Sequence, residues 1–294
     1  MREVMKCGGG IFILLLIGLG CGSVKLPWAK NPQPASPPES AKTTPEQPAT
    51  SPKTPDQPPA PSTPVLPAKT LTPSEPKQPE TEAIAQYNLA LKLEATGKLL
   101  AAADLYQKAA DQKLREAEYN VGYMYAHGKG LPQNDVNAAL WFQKAANQGL
   151  AVAQHMMGVL YEEGRGVAQD FALATIWYRK AAEQGYPDAQ YYLGYLHVAG
   201  QGVKANSTEA AKWFLRAAEN GVVDAQFQIG VYLARGEGVE QDVVEGYKWL
   251  NIASFKNHQR AKNARMELLE QMRPDAVTEA QKRTGEYIAK QQQK

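Results

Sequence analysis

The sequence predicts an all-α solenoid of stacked helix–turn–helix units, closed by C-terminal helices and preceded by a long proline-rich segment. Three observations predict it. Gly122, Gly158, Gly194 and Gly230 recur every 36 residues, as do Trp141, Trp177, Trp213 and Trp249. Glycine pairs follow the same period at Gly128/Gly130, Gly164/Gly166, Gly200/Gly202 and Gly236/Gly238. Seventeen of the 20 prolines lie between Pro27 and Pro79, outside this array. A fixed period of 20–50 residues marks supersecondary units that bury their apolar faces on one another.

At the N-terminus, Arg2 and Lys6 precede the apolar run Ile11–Gly20, and Cys21 follows inside Gly20-Cys21-Gly22. A short basic stretch before a short apolar one has the form of a secretory signal, expected over 1–20. With its cysteine, the segment resembles the lipobox of bacterial lipoproteins, although Gly18 stands where that motif usually has Leu. The resemblance implies lipidation at Cys21, and Gly22 after it implies sorting to the outer membrane. An uncleaved anchor is a second reading, because the uncharged stretch Cys7–Val24 is 18 residues long. Ordinary cleavage and release into the periplasm is a third. Residues 21–81, rich in Pro, Ala and Thr, lack apolar periodicity and are expected to be a disordered linker. In polyproline II geometry, about 60 such residues reach on the order of 180 Å.

Within one repeat the order is helix, glycine break, helix. From Asp188, the residues Ala189, Leu193, Gly194 and Leu196 suit one helix, which Gly200 and Gly202 end. The second helix follows an N-cap at Asn134, Asp170, Asn206 or Asp242. Glu209 and Glu245 stand three residues beyond their caps, as in a capping box. Trp213, Ala217 and Ala218 then form a buried stripe. A glycine inside a helix costs about 1 kcal/mol relative to alanine. Its recurrence at Gly194 and equivalents therefore predicts a close approach of the paired helix, with the unit's tryptophan nearby.

The run Ala153-Gln154, Gly158, Leu160, Tyr161, Gly164, Gly166, Val167, Asp170, Ala174, Trp177, Lys180, Ala181, Ala182 and Gly185 resembles the Sel-1-like repeat, a variant of the tetratricopeptide repeat. The resemblance divides 116–260 into four repeats, 116–151, 152–187, 188–223 and 224–260. Residues 82–115 form a degenerate tetratricopeptide-like repeat with a shorter loop, and 261–294 form capping helices broken at Pro274. It implies a right-handed α-solenoid whose first helices line a concave groove.

On that groove the expected partner-binding residues are Tyr87, Tyr119, His155, Tyr191 and Phe227, with Tyr123, Val159 and Tyr195 four residues further along the same face. His127, Glu162, Glu163 and Arg235 are the expected outer positions, where residue type varies between units. The implied function is a non-enzymatic protein–protein interaction scaffold of the bacterial cell envelope, binding a protein or peptide.

Other functions find little in the chain. Residues 81–254 carry 15 Lys and Arg against 19 Asp and Glu, and 255–294 carry nine against five, so no concentrated basic face favours nucleic acid. The repeats hold no cysteine, and the four histidines form no i, i+4 pair, so no metal site or other cofactor is expected. There is no phosphate loop and no G-x-S-x-G, so no small-molecule substrate is expected. Two alternatives stay open. One is a cell-wall-directed hydrolase of the β-lactamase-like kind described for cysteine-rich relatives, whose paired cysteines are missing here. The other is a secreted factor that binds a host protein.

Overall fold

The computed structural model describes residues 78–293, which form twelve α-helices and, among the described residues, no strand. The signal at 1–20, Cys21 and most of the 21–81 linker lie outside the described residues. α1 (Gln78–Ala95) begins within the segment expected to be linker and already contains Pro79. Proline is tolerated there, since the N–H groups of a helix's first turn have no intrahelical acceptor.

Five helix pairs follow one another: α1 with α2 (Leu99–Asp111), α3 (Arg115–His127) with α4 (Asp135–Asn147), and α5 (Ala151–Glu163) with α6 (Phe171–Glu183). Next come α7 (Pro187–Ala199) with α8 (Ser207–Glu219), and α9 (Val223–Arg235) with α10 (Val243–Phe255). Each helix touches the helices before and after it, so the second helix of one unit supports the first helix of the next. None of the described helices is long and apolar enough to cross a membrane.

All four predicted N-caps form. Asn134, Asp170, Asn206 and Asp242 accept the N–H of Asn137, of Ala172 and Leu173, of Glu209, and of Glu245. The capping box is only half made. The Asn206 and Asp242 N–H groups donate to the carbonyls of His197 and Leu233, so Glu209 and Glu245 have no cap N–H to accept. Their carboxylates pair instead with Lys212 and Lys248.

The central glycines do mark close approach, but not to the tryptophan. A Cβ on Gly194 would lie 2.8 Å from the Phe214 ring, and Gly122, Gly158 and Gly230 meet Phe142, Tyr178 and Leu250 in the same way. The partner is the residue after each tryptophan, Phe142, Tyr178, Phe214 or Leu250, which fills the space between the paired helices. Trp177 belongs to the cluster of Met156, Met157 and Leu160, and its outer face carries Lys180 4.1 Å from the ring centre. Gly194→Ala should gain helix propensity of about 1 kcal/mol. The Phe214 ring is held by Tyr191 and Tyr232 and cannot retreat. Overpacking of about 1–3 kcal/mol then outweighs the gain. A lowered melting temperature is the expected result, and a raised one would show that the ring yields.

Buried glutamines link the units. Gln154, Gln190 and Gln226 donate to the Ala146, Ala182 and Ala218 carbonyls at 3.2, 3.2 and 3.1 Å. Gln184 and Asn220 in turn donate to the Gln154 and Gln190 side-chain oxygens. Position 256 is lysine, which donates to the Gly221 carbonyl instead, and the Gln226 Oε1 has no hydrogen-bond partner.

The end of the stack is covered by α11 (Gln259–Leu269) and α12 (Pro274–Gln292), which begins at Pro274. Ala261, Ala264 and Leu268 of α11 are buried. Tyr287 of α12 sets its ring edge-on to Trp249 at 5.0 Å.

Candidate functional site: the face of the first helices

The first helices α1, α3, α5, α7 and α9 are joined side to side by side chains. Asn120 bonds the Tyr87 hydroxyl, Gln228 bonds the Tyr191 hydroxyl, and the His155 ring lies 5.7 Å from Tyr192. The residues expected to form an aromatic ladder lie on these helices, but they are not exposed. Tyr87, Tyr119, Tyr123, His155, Val159, Tyr191 and Phe227 are all at least nine-tenths buried. This corrects the expectation that these side chains offer open contact area. Val152 to Leu160 of α5 are buried without a break. That helix is enclosed by its own pair, the preceding unit and its neighbours, so an aromatic ring on any face becomes core.

Burial also fixes the chemistry of these groups. It pushes the Tyr87 hydroxyl up to about 12 and those of Tyr119 and Tyr191 higher still. Burial lowers His155 to about 3, so its ring is neutral. The ring is walled by Tyr178, Tyr186 and Tyr192 at 5.4, 5.1 and 5.7 Å, and its Nδ1 has no partner. Among the described residues, no three of His, Cys, Asp and Glu come together in a way that could hold a metal.

The outer positions have local reasons to vary. Glu162 accepts the buried Tyr178 hydroxyl at 2.6 Å. Glu94 accepts that of Tyr106 in the first unit at 2.7 Å. Where the aromatic residue is Phe142 or Phe214, the residue at the glutamate's position is Ala126 or Val198. Glu163 pairs with Arg165 at 3.2 Å, and Arg235 with Glu237 at 3.8 Å. These are the same two positions with their charges exchanged, flanking the glycine that ends the helix. His127 stacks on Tyr123 at 4.1 Å with its Nδ1 2.8 Å from the Tyr123 carbonyl. Variation here answers to local pairing first.

Of the expected residues, Tyr195, His127 and Arg235 are half-buried and Glu163 is exposed. The same face also carries polar residues that the ladder reasoning passed over: Glu116, Asp188 and Asp224 in the first turns, and Asn88, Asn120 and Gln228 one turn on, all half-buried. The 36-residue register held their signal. Asn120 and Gln228 stand at equivalent positions where other units have Met156 and Tyr192. Burial alone raises the Asp188 carboxyl above its usual range. Asp224 instead meets His258, the N-cap of α11, at 3.1 Å.

Comparison with known proteins agrees with this architecture. A family model described as the Sel1 repeat matches five times, at residues 83–114, 115–150, 151–186, 187–222 and 223–258. Among solved structures, the chain is similar to a protective antigen of uropathogenic Escherichia coli displaying an SLR fold. The identity is 30% and the TM-score 0.63, over 69% of this chain and 46% of that one. It is also similar to a Sel1 repeat protein from Oxalobacter formigenes, at 34% identity and a TM-score of 0.58, over 61% of this chain and 74% of that one. The match thus spans less than half the length of the E. coli protein. A comparison with curated proteins finds no match.

Proposed function

The chain belongs to the Sel1 repeat family, whose members generally act as non-enzymatic protein-interaction scaffolds, and from that premise we propose that it scaffolds a complex in the bacterial cell envelope. It does so by holding a protein or peptide segment along the concave side of the first helices. The observation that carries the reading is the make-up of that face. Half-buried Tyr195, Asp188, Asn120 and Gln228 supply partly exposed aromatic and polar groups over a rigid buried floor. Aromatic side chains on rigid supports are enriched among binding hot spots.

In this reading, lipidation at Cys21 tethers the repeats to the outer membrane, and residues 21–77 act as the spacer. Cys21→Ser is expected to abolish incorporation of labelled fatty acid and to release the repeats from the membrane fraction. Absence of label on the wild type removes the lipoprotein part of the proposal and leaves the scaffold part standing.

The binding part is tested by crosslinking in cells, identification of the captured protein, and measurement of its affinity for residues 78–294. Tyr195→Ser is expected to weaken that affinity by about 2 kcal/mol, roughly 30-fold, with the helical circular dichroism unchanged. Unaltered affinity in the folded variant overturns the assignment of this face.

A further inference from the structure

The glutamine ladder has one substitution. Gln154, Gln190 and Gln226 are spaced by 36 residues, and the next position toward the N-terminus is Glu118. Each glutamine donates to a carbonyl at the end of the preceding unit's second helix. The carbonyl equivalent to those of Ala146, Ala182 and Ala218 is that of Ala110. An ionised glutamate cannot donate to it.

Glu118 is nevertheless as buried as the glutamines, at 4% exposure against 6% for Gln154 and 4% for Gln190. One of its oxygens accepts Gln148 Nε2 at 2.7 Å, as Gln154 accepts Gln184. Its second carboxyl oxygen is the chemical counterpart of the amide that each glutamine donates. The same junction carries a second departure. Lys113, at φ +64°, stands where Gly149, Gly185 and Gly221 occupy the left-handed region.

We propose that the junction between α1–α2 and α3–α4 is a proton-controlled joint. Protonated Glu118 donates to the Ala110 carbonyl and locks the first unit to the second; ionised Glu118 loses that bond, and the first unit opens more readily. The charged groups facing Glu118 are Lys113 from the α2–α3 connection and Lys144 from α4, with Gln148 as its hydrogen-bond donor. Arg115 and Glu116, on its own turn, pair with each other. Both lysines and Gln148 favour the ionised form, but burial outweighs them and raises the carboxyl above its ordinary value. A carboxyl raised in the folded state contributes stability that is complete below its unfolded value of about 4.3 and is lost as pH rises through the folded value. The lock therefore closes in acid and loosens toward neutral pH.

Hydrogen exchange of residues 78–294, corrected for the intrinsic pH dependence of exchange, tests this at pH 4.5 and pH 7.5. In the wild type, α1 and α2 should open on the order of threefold to tenfold more at pH 7.5 than at pH 4.5, with α7 and α8 as the internal reference. Glu118→Gln should hold α1 and α2 at the closed level at both pH values. Gln154→Glu should transplant the dependence to the next junction. Equal pH dependence of α1–α2 opening in wild type and Glu118→Gln overturns the proposal, as does a folded Gln154→Glu variant with no new pH dependence.

Discussion

Gly202→Ala should destabilise the stack by about 3 kcal/mol or more, lowering the melting temperature by roughly 10 °C. Gly202 is the second glycine of its loop, with φ +69°. A Cβ there would stand 2.0 Å from the Phe171 carbonyl oxygen and 2.3 Å from its carbon. Those atoms open α6, in the preceding unit, so the collision is with backbone and no rotamer change relieves it. The two units must separate, and the interface between them carries much of the stability of such a stack. Gly185→Ala is the matched control. It has φ +85° and nothing within 4 Å of the added carbon, so it bears only the cost of a left-handed alanine, about 1 kcal/mol. Thermal denaturation of the two variants separates conformational cost from inter-unit contact. Equal losses would show that the second glycine serves the turn alone.

The Tyr178–Glu162 pair should behave as a unit in a double-mutant cycle. Glu162→Ala leaves the Tyr178 hydroxyl buried without its acceptor, which costs about 1–3 kcal/mol. Tyr178→Phe leaves the Glu162 carboxyl, already raised by burial, without its donor. The double variant recreates the Phe142–Ala126 combination of the second unit and keeps an aromatic ring for the stack with Tyr192 at 5.5 Å. It should therefore be more stable than the sum of the single losses predicts, by about 1–2 kcal/mol. Denaturant unfolding of all four proteins measures this, and additive losses would reduce the recurrence in the first and third units to coincidence.

Much of the architecture was legible in the sequence because it depends on local chemistry repeated at a fixed interval. The 36-residue period, the caps from Asn134 to Asp242 and the helix-ending glycines at 128, 164, 200 and 236 act within a few residues of themselves. Pro274 opens the last helix for the same reason. None of these needs knowledge of a distant neighbour. Only the tertiary structure decided what each buried side chain meets. The period identifies Gly194 as a point of close approach but not Phe214, rather than Trp213, as the group that approaches. It places Tyr119, His155 and Tyr191 on one helix face but not that face inside the stack. Glu162 and Glu163 read alike as outer charges, yet one receives a buried hydroxyl and the other a half-buried guanidinium. The physical reason is that a first helix in a solenoid is contacted on nearly all sides, by its own partner, the preceding unit and the next. Sequence periodicity reports that a position is apolar or polar, while burial and hydrogen-bond demand are set by which of those neighbours lies opposite it.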